Sequence, residues 1–214
     1  MLAIPAARPK AARGNRSMFP TIIRISGEKV MLSEEAVLEL IAKAVEPLGC
    51  VEEAGEEFRD PPLEILVYHS RPVRLHWLPW FGRASSVVVV AREPRELTID
   101  VKGFSDWIRR VSAAANARFA PWRSGPTVGL TIVSIARAPI VPGEDELLAQ
   151  ALAKKVPKSR VVPLGLLRVE LEREALSFSL VRGPAGLFPE PDTLADALNA
   201  RLKRFVSNID LDGH

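Results

Sequence analysis

The sequence predicts a single α+β domain: a mostly antiparallel or mixed sheet of about six to eight strands, covered by about four helices. Three observations predict it. Short apolar runs of strand length come in adjacent groups rather than in strict alternation with helices, which favours hairpins over a fully parallel sheet. Four segments carry apolar residues at helical spacing. No low-complexity linker divides the 214 residues, a length that suits one generous core.

The leader, residues 1–19, is basic and rich in Ala and Pro but has no apolar signal-peptide core. It is expected to be disordered, and Met18 is an alternative start. The domain is expected over residues 20–206, with 207–214 as a flexible tail. Thr21 to Ser26 reads as a short strand. Ser33 is placed to cap a helix from Glu34 to about Leu48, in which Val37, Ile41 and Val45 share a face. The acidic stretch from Glu52 to Asp60 reads as a solvated loop or an edge strand.

The densest β signal follows, in Leu63 to His69, Val73 to Leu78, Ser85 to Arg92 and Glu96 to Val101. Val87 to Val90 are apolar on both faces, as a central strand requires. The Glu93-Pro94-Arg95 link predicts an antiparallel hairpin between the last two of these strands. A helix is expected from Phe104 to Phe119, with Phe104, Trp107, Ile108, Val111 and Ala115 as its apolar stripe. Thr127 to Arg137 reads as a strand. Pro142 and Gly143 introduce a helix with three acids in its first turn and Lys154 and Lys155 in its last. Val161 to Leu171 and Ala175 to Arg182 form a hairpin in which Leu167, Val169 and Leu171 alternate with Arg168 and Glu170. Thr193 and Asp196 make a capping box for the last helix.

Composition narrows the function classes. A hydrophobic share of 47% with 26% charged residues excludes wholesale disorder. No apolar run approaches the ~18 residues of a membrane helix, so a soluble cytoplasmic protein without a transmembrane segment is expected. The only cysteine, Cys50, permits neither an intramolecular disulfide nor a thiolate metal cluster. A net charge of +3 from 29 basic and 26 acidic groups is small for a dedicated nucleic-acid binder. The chain lacks GxxxxGK[ST], GxGxxG after a strand, GxSxG and HExxH. No recognisable catalytic signature remains, and no cofactor is expected.

These absences point to an intracellular interaction or regulatory module with a protein partner. Its expected contact surface lies in the segment LHWLPWFGR, at Trp80, Phe81 and Arg83, with Arg109 and Arg110 of the Phe104 helix, because Trp and Arg favour interface centres. A second alternative is non-catalytic nucleic-acid binding through Arg109, Arg110, Arg118 and Arg123 with Trp122 among them. His69 and His76 flank Ser70-Arg71-Pro72, where a turn would bring them near an acid such as Glu64, but a structural or exposed role is the expectation.

The first alternative is catalytic. Asp100-Val101-Lys102 closes an expected strand and precedes a helix, and in this it resembles the (D/E)xK element of PD-(D/E)XK nucleases. The resemblance spans about Glu34 to Arg118 and rests on that triplet. It implies a metal-dependent nuclease in which Asp100, Lys102 and Glu64 are catalytic and Mg or Mn is the cation. The neighbouring strand SSVVVVAR offers no acid of its own, so Glu64 or Asp60 would have to complete the cation site.

Overall fold

The computed structural model of the chain describes residues 32–59, 62–74, 83–120, 126–154, 159–180 and 187–209. The basic leader, the expected Thr21 strand, Asp60, His76, Trp80, Phe81, Trp122 and Arg123 lie outside them.

Among the described residues, four helices and a six-stranded mixed sheet form a single α+β domain. Helix α1 (Glu34–Val45) precedes β1 (Val51–Arg59), β2 (Pro62–Arg74) and β3 (Arg83–Arg92). Helix α2 (Val101–Phe119) leads to β4 (Thr127–Ile135), and α3 (Glu144–Leu152) leads to β5 (Val161–Glu170). Strand β6 (Ala175–Leu180) and helix α4 (Glu190–Ile209) follow. The strands lie side by side in chain order. β1, β2 and β3 form an antiparallel meander, β3, β4 and β5 are parallel, and β6 returns antiparallel to β5.

The connections explain this order. β5 and β6 are joined by the turn at 171–174, whereas each parallel pair needs a crossover, supplied by α2 and α3. α2 and α3 cover one face, where Phe104, Trp107, Ile108 and Leu148 pack on Val87, Val89, Leu130 and Leu166. α1 and α4 cover the other, where Val37, Ile41 and Leu194 pack on Val88, Val90, Val133 and Leu167. Val87 to Val90 are fully buried because they face a helical layer on each side.

Local signals set the helix starts. The Ser33 hydroxyl accepts from the Ala36 N–H at 3.1 Å, and Glu34 and Glu35 occupy the first turn of α1. Gly49 ends the short 3-10 turn after α1 with φ +82°, a conformation that favours glycine. α2 is capped by Asp100, whose carboxylate accepts from the Gly103 N–H at 2.6 Å.

Several sequence expectations are corrected. Glu96 to Val101 form no strand; Glu96 to Asp100 are a turn and the approach to α2, which begins at Val101, so the hairpin expected at Glu93-Pro94-Arg95 does not exist and β3 instead pairs in parallel with β4. Ser70-Arg71-Pro72 is no turn either, because β2 runs unbroken through Arg74. For the acidic stretch the edge-strand expectation holds: Glu52 to Arg59 lie in β1, the edge of the sheet among the described residues. α3 ends at Leu152, before Lys154. α4 begins at Glu190, which places Thr193 inside its first turn rather than at a cap. Among the described residues, no helix is long and apolar enough to cross a membrane.

His69 lies on β2 between Glu52 of β1 and Val88 of β3 and is 3% exposed. Burial holds its pKa below the ordinary histidine value, with Glu52 acting in the opposite direction. Folding therefore favours the neutral ring. This contribution is complete above an unfolded-state pKa of about 6.5 and is lost as pH falls towards the lower folded value. We expect stability to decline with a slope of at most about 1.4 kcal/mol per pH unit below about pH 6.5. His69→Phe should remove that component in urea titrations; the same acid slope in both proteins would disprove it.

Candidate functional site

The most elaborate polar construction lies beneath the carboxyl ends of the parallel strands. β5 delivers Arg168 to the face covered by α2 and α3, where it is fully buried. Its Nε and Nη2 fork onto Glu93 at 2.6 and 2.8 Å, and Nη1 donates to Glu144 Oε2 at 2.7 Å. Nη2 also donates to the Ala138 carbonyl at 2.8 Å, and the guanidinium stands 5.7 Å from the centre of the Phe104 ring. The carboxylates have donors of their own. The Ser134 hydroxyl and the Arg137 N–H donate to Glu93, and the Ser177 hydroxyl donates to Glu144 at 2.6 Å.

Burial alone would depress the Arg168 pKa, but Glu93 and then Glu144 outweigh it and hold it raised. One guanidinium between two carboxylates leaves an excess of negative charge. Hydroxyl and backbone donors meet it, together with the positive end of α3, at whose first turn Glu144 sits. The network ties β3, β4, β5 and β6 to the start of α3.

A cavity of about 520 Å³ opens beside this network. Its walls are the three loops that follow β3, β4 and β5, and each loop brings one arginine: Arg95, Arg137 and Arg173. Arg95 is exposed. Arg137 is 41% exposed and lies 3.6 Å from Glu64, and Arg173 is 67% exposed and lies 3.4 Å from Glu170. Glu93 and Glu170 also line the cavity, with the exposed Glu172 at its rim. Glu93 is saturated by Arg168, Ser134 and the Arg137 N–H. Glu170 is less so: its Oε2 accepts from the Ile140 N–H at 2.9 Å, and among the described residues its Oε1 faces only the Arg173 Nε at 3.4 Å.

A second ion network occupies the opposite face of the sheet. Arg92 forks onto Glu34 of α1 at 2.6 and 2.8 Å and also binds Glu64. Through Glu64 it reaches Arg137, so the cavity rim is linked to the first turn of α1.

The residues expected to act as a nuclease are not brought together. Asp100 is the exposed cap of α2, on the face of Phe104 and Trp107, and Lys102 is exposed one residue into the helix. The Gly103 N–H holds the Asp100 carboxyl below its ordinary pKa. Glu64 points to the other face, where it is occupied by Arg92. Asp100 also ends no strand, so the resemblance loses the element that carried it. Among the described residues, no group of three or more His, Cys, Asp or Glu side chains is arranged to hold a metal ion.

Of the expected contact surface, Arg83 opens β3 opposite Arg74, Arg109 is exposed and pairs with Asp106 at 3.0 Å, and Arg110 is half-buried on the same helix. Arg118 is committed to the fold: it forks onto Glu53, binds Glu56 at 2.6 Å and lies over the Tyr68 ring at 4.9 Å. Sequence reasoning missed Arg168, Glu144 and the arginines of the cavity. Arg95 and Arg137 sit at loop positions with no motif around them, and Arg168 occupies a polar place in an alternating strand.

No family model, no curated protein and no solved structure matches this chain.

Proposed function

We propose that this chain is a non-catalytic binding module that takes a small anionic ligand into the cavity at the carboxyl ends of β3, β4 and β5. The observation that carries this reading is the convergence of Arg95, Arg137 and Arg173, from three separate loops, on one cavity of about 520 Å³. A guanidinium presents paired donors that match a carboxylate or phosphate, and partial exposure leaves these arginines able to turn towards one. The volume falls in the range of ordinary ligand sites, and the carboxyl edge of parallel strands is where open α/β sheets hold ligands. The Arg168 network supports the loops from below, so the donors stand on a rigid base. The cavity thereby gives the expected interaction module a ligand chemistry.

Calorimetric titration of the whole chain with inorganic phosphate and with succinate, at low ionic strength, tests this. Saturable binding that weakens with added salt is expected, and Arg95→Ala and Arg173→Ala should each cost roughly tenfold in affinity. If neither anion binds, or if the double variant binds as well as the unaltered chain, the reading is wrong.

A further inference from the structure

The same cavity holds a feature that a purely anionic ligand leaves unexplained. Glu170 lines it at 6% exposure. One of its oxygens is held by the Ile140 N–H, and the other has, among the described residues, only the mostly exposed Arg173 at 3.4 Å. A carboxylate so enclosed repels any anion drawn in by the arginines, and that repulsion is strengthened where water is scarce. A cationic group on the ligand converts the repulsion into an ion pair. Glu93, the other enclosed carboxylate of the wall, is spent on Arg168 and cannot serve this purpose.

Building on the reading of the cavity as an anion site, we infer that its ligand is a small zwitterion of the amino-acid class. Its acidic end meets Arg95, Arg137 and Arg173, and its ammonium group meets Glu170. The opposed charges give the cavity an orientation: the arginines select the acidic end, and Glu170 discriminates between molecules that share that end.

Succinate and aspartate form the natural test pair, because they share a carbon skeleton and differ by one ammonium group. Calorimetric titration of the whole chain should show aspartate binding roughly tenfold or more tightly than succinate. Glu170→Gln keeps an oxygen for the Ile140 N–H, and a melting curve confirms that the variant folds. It should abolish the preference while leaving succinate bound equally well or better. Equal binding of succinate and aspartate by the unaltered chain overturns the zwitterion inference and leaves the anion site standing. A preference that persists in Glu170→Gln also overturns it. If succinate and phosphate both fail to bind the unaltered chain, the anion site itself is refuted, and the zwitterion inference with it.

Discussion

Arg168→Ala is expected to destabilise the fold by about 3–5 kcal/mol, the cost of breaking a buried ion network from one side. The reason lies in what stays behind. Glu93 and Glu144 are 2% and 1% exposed, and the variant strips from them three of their charge-assisted hydrogen bonds. Their remaining donors, the hydroxyls of Ser134 and Ser177 and the backbone N–H of Arg137, are neutral and cannot balance two buried charges. The Ala138 carbonyl also loses its donor. Combining Arg168→Met with Glu93→Gln and Glu144→Gln should recover a substantial part of the loss, because the uncompensated charges then go as well. Urea unfolding at neutral pH measures both variants. A loss below about 1 kcal/mol in Arg168→Ala would show that the network is hydrated and not the support described above.

The second large effect is expected at Gly55. It lies in β1 opposite the irregularity in β2 between Ile65 and Val67, where the backbones of the two strands come close. A Cβ built on Gly55 falls inside contact distance of the Ile65 and Leu66 carbonyl oxygens. Both are backbone atoms held in the sheet, so no side chain can swing aside to make room. Gly55→Ala should therefore cost about 2 kcal/mol or more. β1 is an edge strand, so the damage should concentrate there: amide hydrogen exchange should accelerate in β1 and in the facing part of β2, with β4 and β5 protected as before. Uniform acceleration across the sheet, or none, would contradict this account. Gly49 and Gly143 differ in kind, because each takes a positive φ in open space.

The helices were legible because their signals are local. Ser33 and Asp100 act within one turn of their own positions, and the spacing of Val37, Ile41 and Val45, or of Phe104, Trp107, Ile108 and Val111, shows which side of each helix is apolar. Val87 to Val90 likewise revealed a strand buried on both faces. The path between elements was harder to read. A link such as Glu93-Pro94-Arg95 suits a hairpin as well as a loop leading into a helix, and strand pairing is decided by contacts far apart in the chain.

The candidate site depended on the same long-range information. Arg168 and Glu170 alternate with Leu167 and Val169, a pattern that usually sets one face of a strand in water. In this protein both faces of β5 are covered, so the polar residues are enclosed and must find partners in other strands and loops. The same holds for Ser134 and Ser177, both buried and bonded to Glu93 and Glu144. The alternation of a strand states which side chains share a face, because that follows from backbone geometry alone. Whether that face meets water, a helix or an arginine from another strand is settled only when distant segments pack. For this chain, composition and periodicity determined the α+β class, the helices and the central strand; tertiary packing decided the parallel pairing of β3, β4 and β5, the Arg168 network and the cavity of three arginines.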